Sequence, residues 1–269
     1  MSFNATTQAL SELTADCRIV FVGHDATLGN NAQQLDKASG GAISRILELG
    51  DFTGKFGQTQ LLPQAGELNG RLLLVGTGKA DELKDGKFRT LIKNLITAVK
   101  ETKITSLALS LEDVEIKGRD LNWKARLLAE NTVTTLYVFD QLKSKQADPS
   151  ALKEIILSVP GAEGAVQKAL DTGAAVGEGM NLTRTLGNLP GNICTPVYLA
   201  QQAEELAKDF DELSLTILDE NQMAELGMGS LLSVAKGSVE APRLVVMEYK
   251  GNGDAKPHVL VGKGVTFDT

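Results

Sequence analysis

CRIVFVG (17–23) and RLLLVGTG (71–78) are the stretches that decide the fold. Each is a short apolar run, rich in branched side chains, that stops at glycine. A run with no polar side suits a strand covered on both faces, which is the environment of a parallel sheet. Outward along the chain, SLALSLE (106–112) and KEIILSVP (153–160) repeat the pattern, the last closed by Pro160.

The segments between these runs have helical spacing. NAQQLDKASGGAISRILELGDF (31–52) carries it through Leu35, Ile43, Ile46 and Leu47, interrupted at Gly40 and Gly41. KFRTLIKNLITAVKET (87–102) places Leu91, Ile92, Leu95, Ile96 and Val99 on one stripe. LNWKARLLAENTVTTLYVFDQLKS (121–144) is mostly helical by pattern. Strands alternating with helices predict right-handed crossovers, a mostly parallel sheet and an α/β fold.

GAEGAVQKALDTGAAVGEGMNLTRTLGNLP (161–190) is rich in alanine and glycine and has helical periodicity through Val166, Leu170, Ala174 and Met180. Its small residues suit a closely packed helix joining two domains, and NLPGN ends it with a turn signal. The expected organisation is an N-terminal α/β domain over 1–160, a linking helix over 161–190 and a second domain starting at 191 and still incomplete at 269. Thr195 is the expected N-cap of the next helix, with Pro196 at its first position and the helix running over 196–210. Strands are expected at 213–219, 243–251 and 257–267, with a short helix over 220–229.

Composition narrows the function classes. At 269 residues and 42% hydrophobic residues, the chain can bury a core. Its 34 acidic and 27 basic residues give a formal charge of −7, which disfavours nucleic-acid binding driven by overall charge. Aromatics at 4% are too few for base-stacking platforms. The first residues lack a basic segment followed by an apolar run, so no signal peptide is read there, and no apolar run approaches the ~20 residues of a membrane span. Cys17 and Cys194 lie far apart and outside any CxxC pair, as for buried, reduced thiols in a cytoplasmic protein.

Most motif readings fail on a missing residue. GTGKAD (76–81) follows a strand, but Asp81 stands where a dinucleotide fingerprint needs its third glycine. His24 and His258 are the only histidines, and neither HExxH nor GxSxG occurs. Nothing places a histidine beside Cys194. Lys263 is different: it sits between Gly262 and Gly264 at the carboxyl end of VLVG, where open α/β sheets place ligands and catalytic groups. With Asp268 five positions on, it could equally form a simple ion pair at a strand end.

VGKGVTFDT (261–269) resembles the metal-binding signature of leucyl aminopeptidases of the M17 family. NLPGNICTP (188–196) resembles the start of that family's catalytic domain, and MGSLLSVAKGSVEAPRLVVMEYKG (228–251) resembles the stretch between the two. DFTGKFGQT (51–59) and RLLLVGTG match more loosely.

The resemblance implies a macro-like N-terminal α/β domain, then a catalytic domain holding two divalent metal ions, manganese or zinc. It further implies peptide substrates with leucine-like first residues, a cytoplasmic homohexamer and no membrane attachment. Lys263 would bind one metal and Asp268 would bridge both. The family's remaining ligands, catalytic lysine and arginine are expected beyond Thr269, with no catalytic residue among 1–269, so the chain as given is expected to be a fragment with little or no peptidase activity. The alternative is a non-catalytic assembly or DNA-binding regulatory domain.

Overall fold

The computed structural model describes residues 1–66, 68–161 and 163–266. They form two compact units, Met1–Leu182 and Thr183–Thr269.

The first unit is built on one sheet. Its parallel strands are β1 (Ser2–Thr6), β2 (Cys17–Gly23), β5 (Arg71–Gly78), β6 (Ser106–Leu109) and β7 (Glu154–Ser158). Two short strands, β3 (Thr27–Leu28) and β4 (Thr59–Leu62), pair antiparallel with β2 and β5. The strand order is β1-β7-β6-β2-β5-β4, with β3 beside β2. Five parallel strands meet the expectation from alternation. β1 and β4 were not anticipated: SFNAT and TQLL are too polar to read as buried runs, and their pairings lie at the sheet's margins.

Both faces of the sheet are covered, as the unbroken apolar runs require. Alternate side chains point to opposite faces. Ile19 and Phe21 of β2, with Leu73 and Val75 of β5, join one core with α3 (Asp85–Val99), α4 (Leu121–Leu136) and the first turns of α5 (Glu163–Asn188). Val20, Val22, Leu72 and Leu74 join the other core, with Leu35 of α1 (Asn30–Ala38) and Ile43 of α2 (Ala42–Glu48). Gly40 and Gly41, both with positive φ, separate α1 from α2. α4 stops at Leu136, short of the expected 144: Tyr137 is extended and a polar run follows.

α5 lies against α4 through its glycines. A Cβ on Gly173 would sit 2.1 Å from the carbonyl oxygen of Arg126, and one on Gly177 would sit 2.8 Å from Cβ of Val133. The backbones touch where a side chain would separate them. Gly173→Ala is therefore expected to lower stability by about 1–3 kcal/mol, despite alanine's better helix propensity, as read by urea unfolding.

In the second unit, α6 (Pro196–Lys208) starts as expected: Thr195 caps it, its hydroxyl accepting from the Tyr198 N–H at 3.2 Å. β8 (Leu213–Leu218) pairs antiparallel with β9 (Leu244–Tyr249). Between them lie α7 (Glu220–Glu225), closed by a capping box of Asp219 and Gln222, and the unanticipated α8 (Gly229–Ala235). The strand expected over 257–267 does not form at residues 257–266; Phe267 lies outside the described residues. A strand needs a hydrogen-bonded neighbour, and no described strand pairs with this segment.

Candidate functional site

Lys263 lies in this irregular segment with its side chain exposed, and Val259, Leu260 and Val261 before it are 75%, 97% and 94% exposed. Asp268 lies outside the described residues. Among the described residues no group of three or more His, Cys, Asp or Glu could hold a metal ion. Lys263 and Asp268 supply too few donors for two metal ions. The residues present do not by themselves fit a dinuclear centre.

The first unit has a formed cleft of about 290 Å³ at the carboxyl ends of β2, β5 and β6. β2 lies between β6 and β5, so the chain crosses from one side of β2 to the other here. Such a reversal is the usual ligand position in open parallel sheets. Gly23 and Gly78 end their strands at the cleft, and His24, Thr27 and Leu28 continue its wall. His24 pairs with Asp25 at 2.7 Å, and Asp25 and Ala26 hold positive φ of 55° and 61°. Two successive non-glycine residues in the left-handed region are uncommon.

The opposite wall is the loop after β6, with Asp113, Val114 and Glu115. Lys124 of α4 holds this loop from beneath: its buried ammonium donates to the carbonyls of Leu111 at 2.6 Å and Val114 at 2.9 Å. Burial lowers the Lys124 pKa, against the opposing field of Glu112, Glu115, Asp120 and Asp113. Asp113 accepts from the Asn31 N–H at 2.9 Å and so caps α1, whose own N-cap, Gly29, has no side chain to do it. Lys124→Met leaves two buried carbonyls without their donor and is expected to cost about 1–3 kcal/mol, measurable by denaturant unfolding.

Sequence reasoning missed Asp113 and Glu115. The available signal was the acidic run EDVE directly after a strand. Both cysteines are buried, as read. Burial pushes the Cys17 thiol up to about 12 and raises that of Cys194, and both are free. Native protein is expected to leave Cys17 unmodified by a thiol reagent at pH 8, whereas denatured protein reacts fully.

Comparison with known proteins extends the reading of both units. Residues 19–146 match the N-terminal domain of the cytosol aminopeptidase family, and residues 181–269 match its catalytic domain. The chain belongs to the cytosol aminopeptidase family.

Within that family it is 47% identical over 254 residues to the cytosol aminopeptidase of Pseudomonas aeruginosa, covering 93% of this chain and 51% of the relative. It is 42% identical over 273 residues to a probable cytosol aminopeptidase of Aeromonas salmonicida, covering 100% of this chain and 54% of the relative. The chain thus spans about half the length of the curated relatives it matches. Among solved structures it is similar to a mutant tomato leucine aminopeptidase, with TM-score 0.82 and 26% identity over 100% of this chain and 55% of that one. It is also similar to the bottromycin maturation enzyme BotP in complex with Mn, with TM-score 0.68 and 27% identity over 87% of this chain and 45% of that one. The cytosol aminopeptidase catalytic match contains Lys263 and Asp268. No described helix is long and apolar enough to cross a membrane.

Proposed function

We propose that this chain is the N-terminal domain (1–160), linking helix (161–190) and first part of the catalytic domain (191–269) of a dinuclear-metal aminopeptidase. The carrying observation is the match to both family domains in order, together with 47% identity to a relative named cytosol aminopeptidase. The substrates are peptides with leucine-like first residues, and the assembly is a cytoplasmic homohexamer. The cofactors are two divalent cations, manganese or zinc; a solved neighbour that binds Mn supports that class. Such ions polarise a carbonyl and generate a hydroxide nucleophile. Lys263 and Asp268 would help hold these ions, together with ligands from the rest of the catalytic domain.

The test is hydrolysis of a leucine amide by a polypeptide joining residues 1–269 to the remaining catalytic half of a relative. Activity is expected with added manganese, lost on chelation and restored by metal. Residues 1–269 alone are expected to match background. A joined, folded protein with no metal-dependent hydrolysis overturns the proposal.

A further inference from the structure

We propose that the cleft at the carboxyl ends of β2, β5 and β6 binds a small organic cation, a primary ammonium carrying an apolar group, and does not bind phosphate.

The cleft's position is that of a ligand site, at the strand-order reversal of a parallel sheet. Its lining then selects the ligand. In such a position the start of a helix usually receives an anion, through free N–H groups and the positive end of the helix dipole. Here that role is already filled from within. The Asp113 carboxylate accepts from the Asn31 N–H at 2.9 Å, and it presses so close to the start of α1 that a Cβ on Gly29 would lie 2.7 Å from its Oδ1. A phosphate would have to displace this carboxylate and then sit beside Glu115, against like charge.

The same features suit a cation. Glu115 lines the cleft, and its carboxylate makes no hydrogen bond or ion pair among the described residues, the Lys124 ammonium acting on it only through its field. It is a free acceptor for an ammonium, with Asp113 adding to the field. The floor is apolar: Phe21, Leu83 and Val114 are buried, and Leu28 is half-buried. An aliphatic group would meet these apolar side chains there. At about 290 Å³ the cleft lies just below the ~300–1000 Å³ range of ligand pockets, which suits a compact amine and not a dinucleotide. Lys124 holds the backbone of the loop that carries both carboxylates, through the Leu111 and Val114 carbonyls.

The experiment is saturation-transfer NMR on residues 1–269, with 3-methylbutylamine as probe. Its neutral analogue 3-methylbutanol, inorganic phosphate and AMP are the controls. A chelator is present throughout, so the result does not depend on the proposed metal centre. The amine is expected to bind with a Kd on the order of 1 mM, and the alcohol, phosphate and AMP are expected not to bind. Glu115 is exposed, so Glu115→Gln should keep the fold; it is expected to weaken amine binding about tenfold or more. Leu28→Trp, which fills the cleft, is expected to abolish binding. The proposal is overturned by phosphate or AMP binding in place of the amine. It is also overturned by amine binding that Glu115→Gln leaves unchanged in a variant with wild-type thermal unfolding.

Discussion

Replacing Lys263 by alanine, in a polypeptide that joins residues 1–269 to a complete catalytic half, is expected to lower manganese-dependent hydrolysis of a leucine amide at least ~100-fold. That exceeds the ~10–100-fold usual for losing a group one layer out from a metal. Lysine binds a metal only through a lone pair, so the ion must displace a proton from the ammonium. The more telling variant is Lys263→Arg. A guanidinium stays protonated at any working pH and cannot be a ligand, yet it forms ion pairs as well as an ammonium does. If Lys263 only formed an ion pair with a carboxylate, arginine would restore activity. As a ligand, Lys263 admits no such rescue. Asp268→Asn is expected to lose activity similarly, because an amide cannot bridge two cations as a carboxylate does. Full activity in Lys263→Arg would sink the assignment.

The second large effect concerns stability within residues 1–269. Amide hydrogen exchange is expected to protect β2 and β5 at least ~100-fold more than β8 and β9, a gap of about 2.7 kcal/mol in opening free energy. The reason is where the apolar surface lies. Both buried clusters are drawn from residues no later than Leu170. Among the described residues after Thr183 the buried hydrophobic side chains are Leu189, Cys194, Ala200, Ala203 and Met223, while Val246, Met247 and Tyr249 of β9 stand exposed. Burial of apolar surface is the main stabilising term, and a two-stranded ribbon is marginal without it. A protease is correspondingly expected to cut first within 250–266, where no regular element holds the backbone. Equal protection in both units would mean that the second has a source of stability other than a buried core.

The family resemblance was legible in short words of sequence, whereas the metal-ligand expectation named only Lys263 and Asp268, of which the structure describes Lys263 alone, exposed in an irregular segment. The N-terminal cleft was not legible at all. Its walls come from positions 21–29, 77–83 and 113–115, which no local pattern connects. The glycines of GTGKAD show the same limit. They were readable as a turn, but their packing was not: a Cβ on Gly76 would lie 2.1 Å from the carbonyl oxygen of Lys55, in the loop that also carries Gly54.

By itself the sequence determined the alternation of strands and helices, the covering of both sheet faces, and helix starts such as Thr195-Pro196, because periodicity and capping act between residues a few positions apart. Only the tertiary structure decided that β1 pairs with β7 across 152 positions of register, that β4 runs antiparallel at the edge, that Asp113 caps a helix more than 80 residues away in sequence, and that 257–266 forms no strand. Each of these depends on a hydrogen-bonding partner from a distant part of the chain, and the apolar run VLVG carries no information on whether its partner is there.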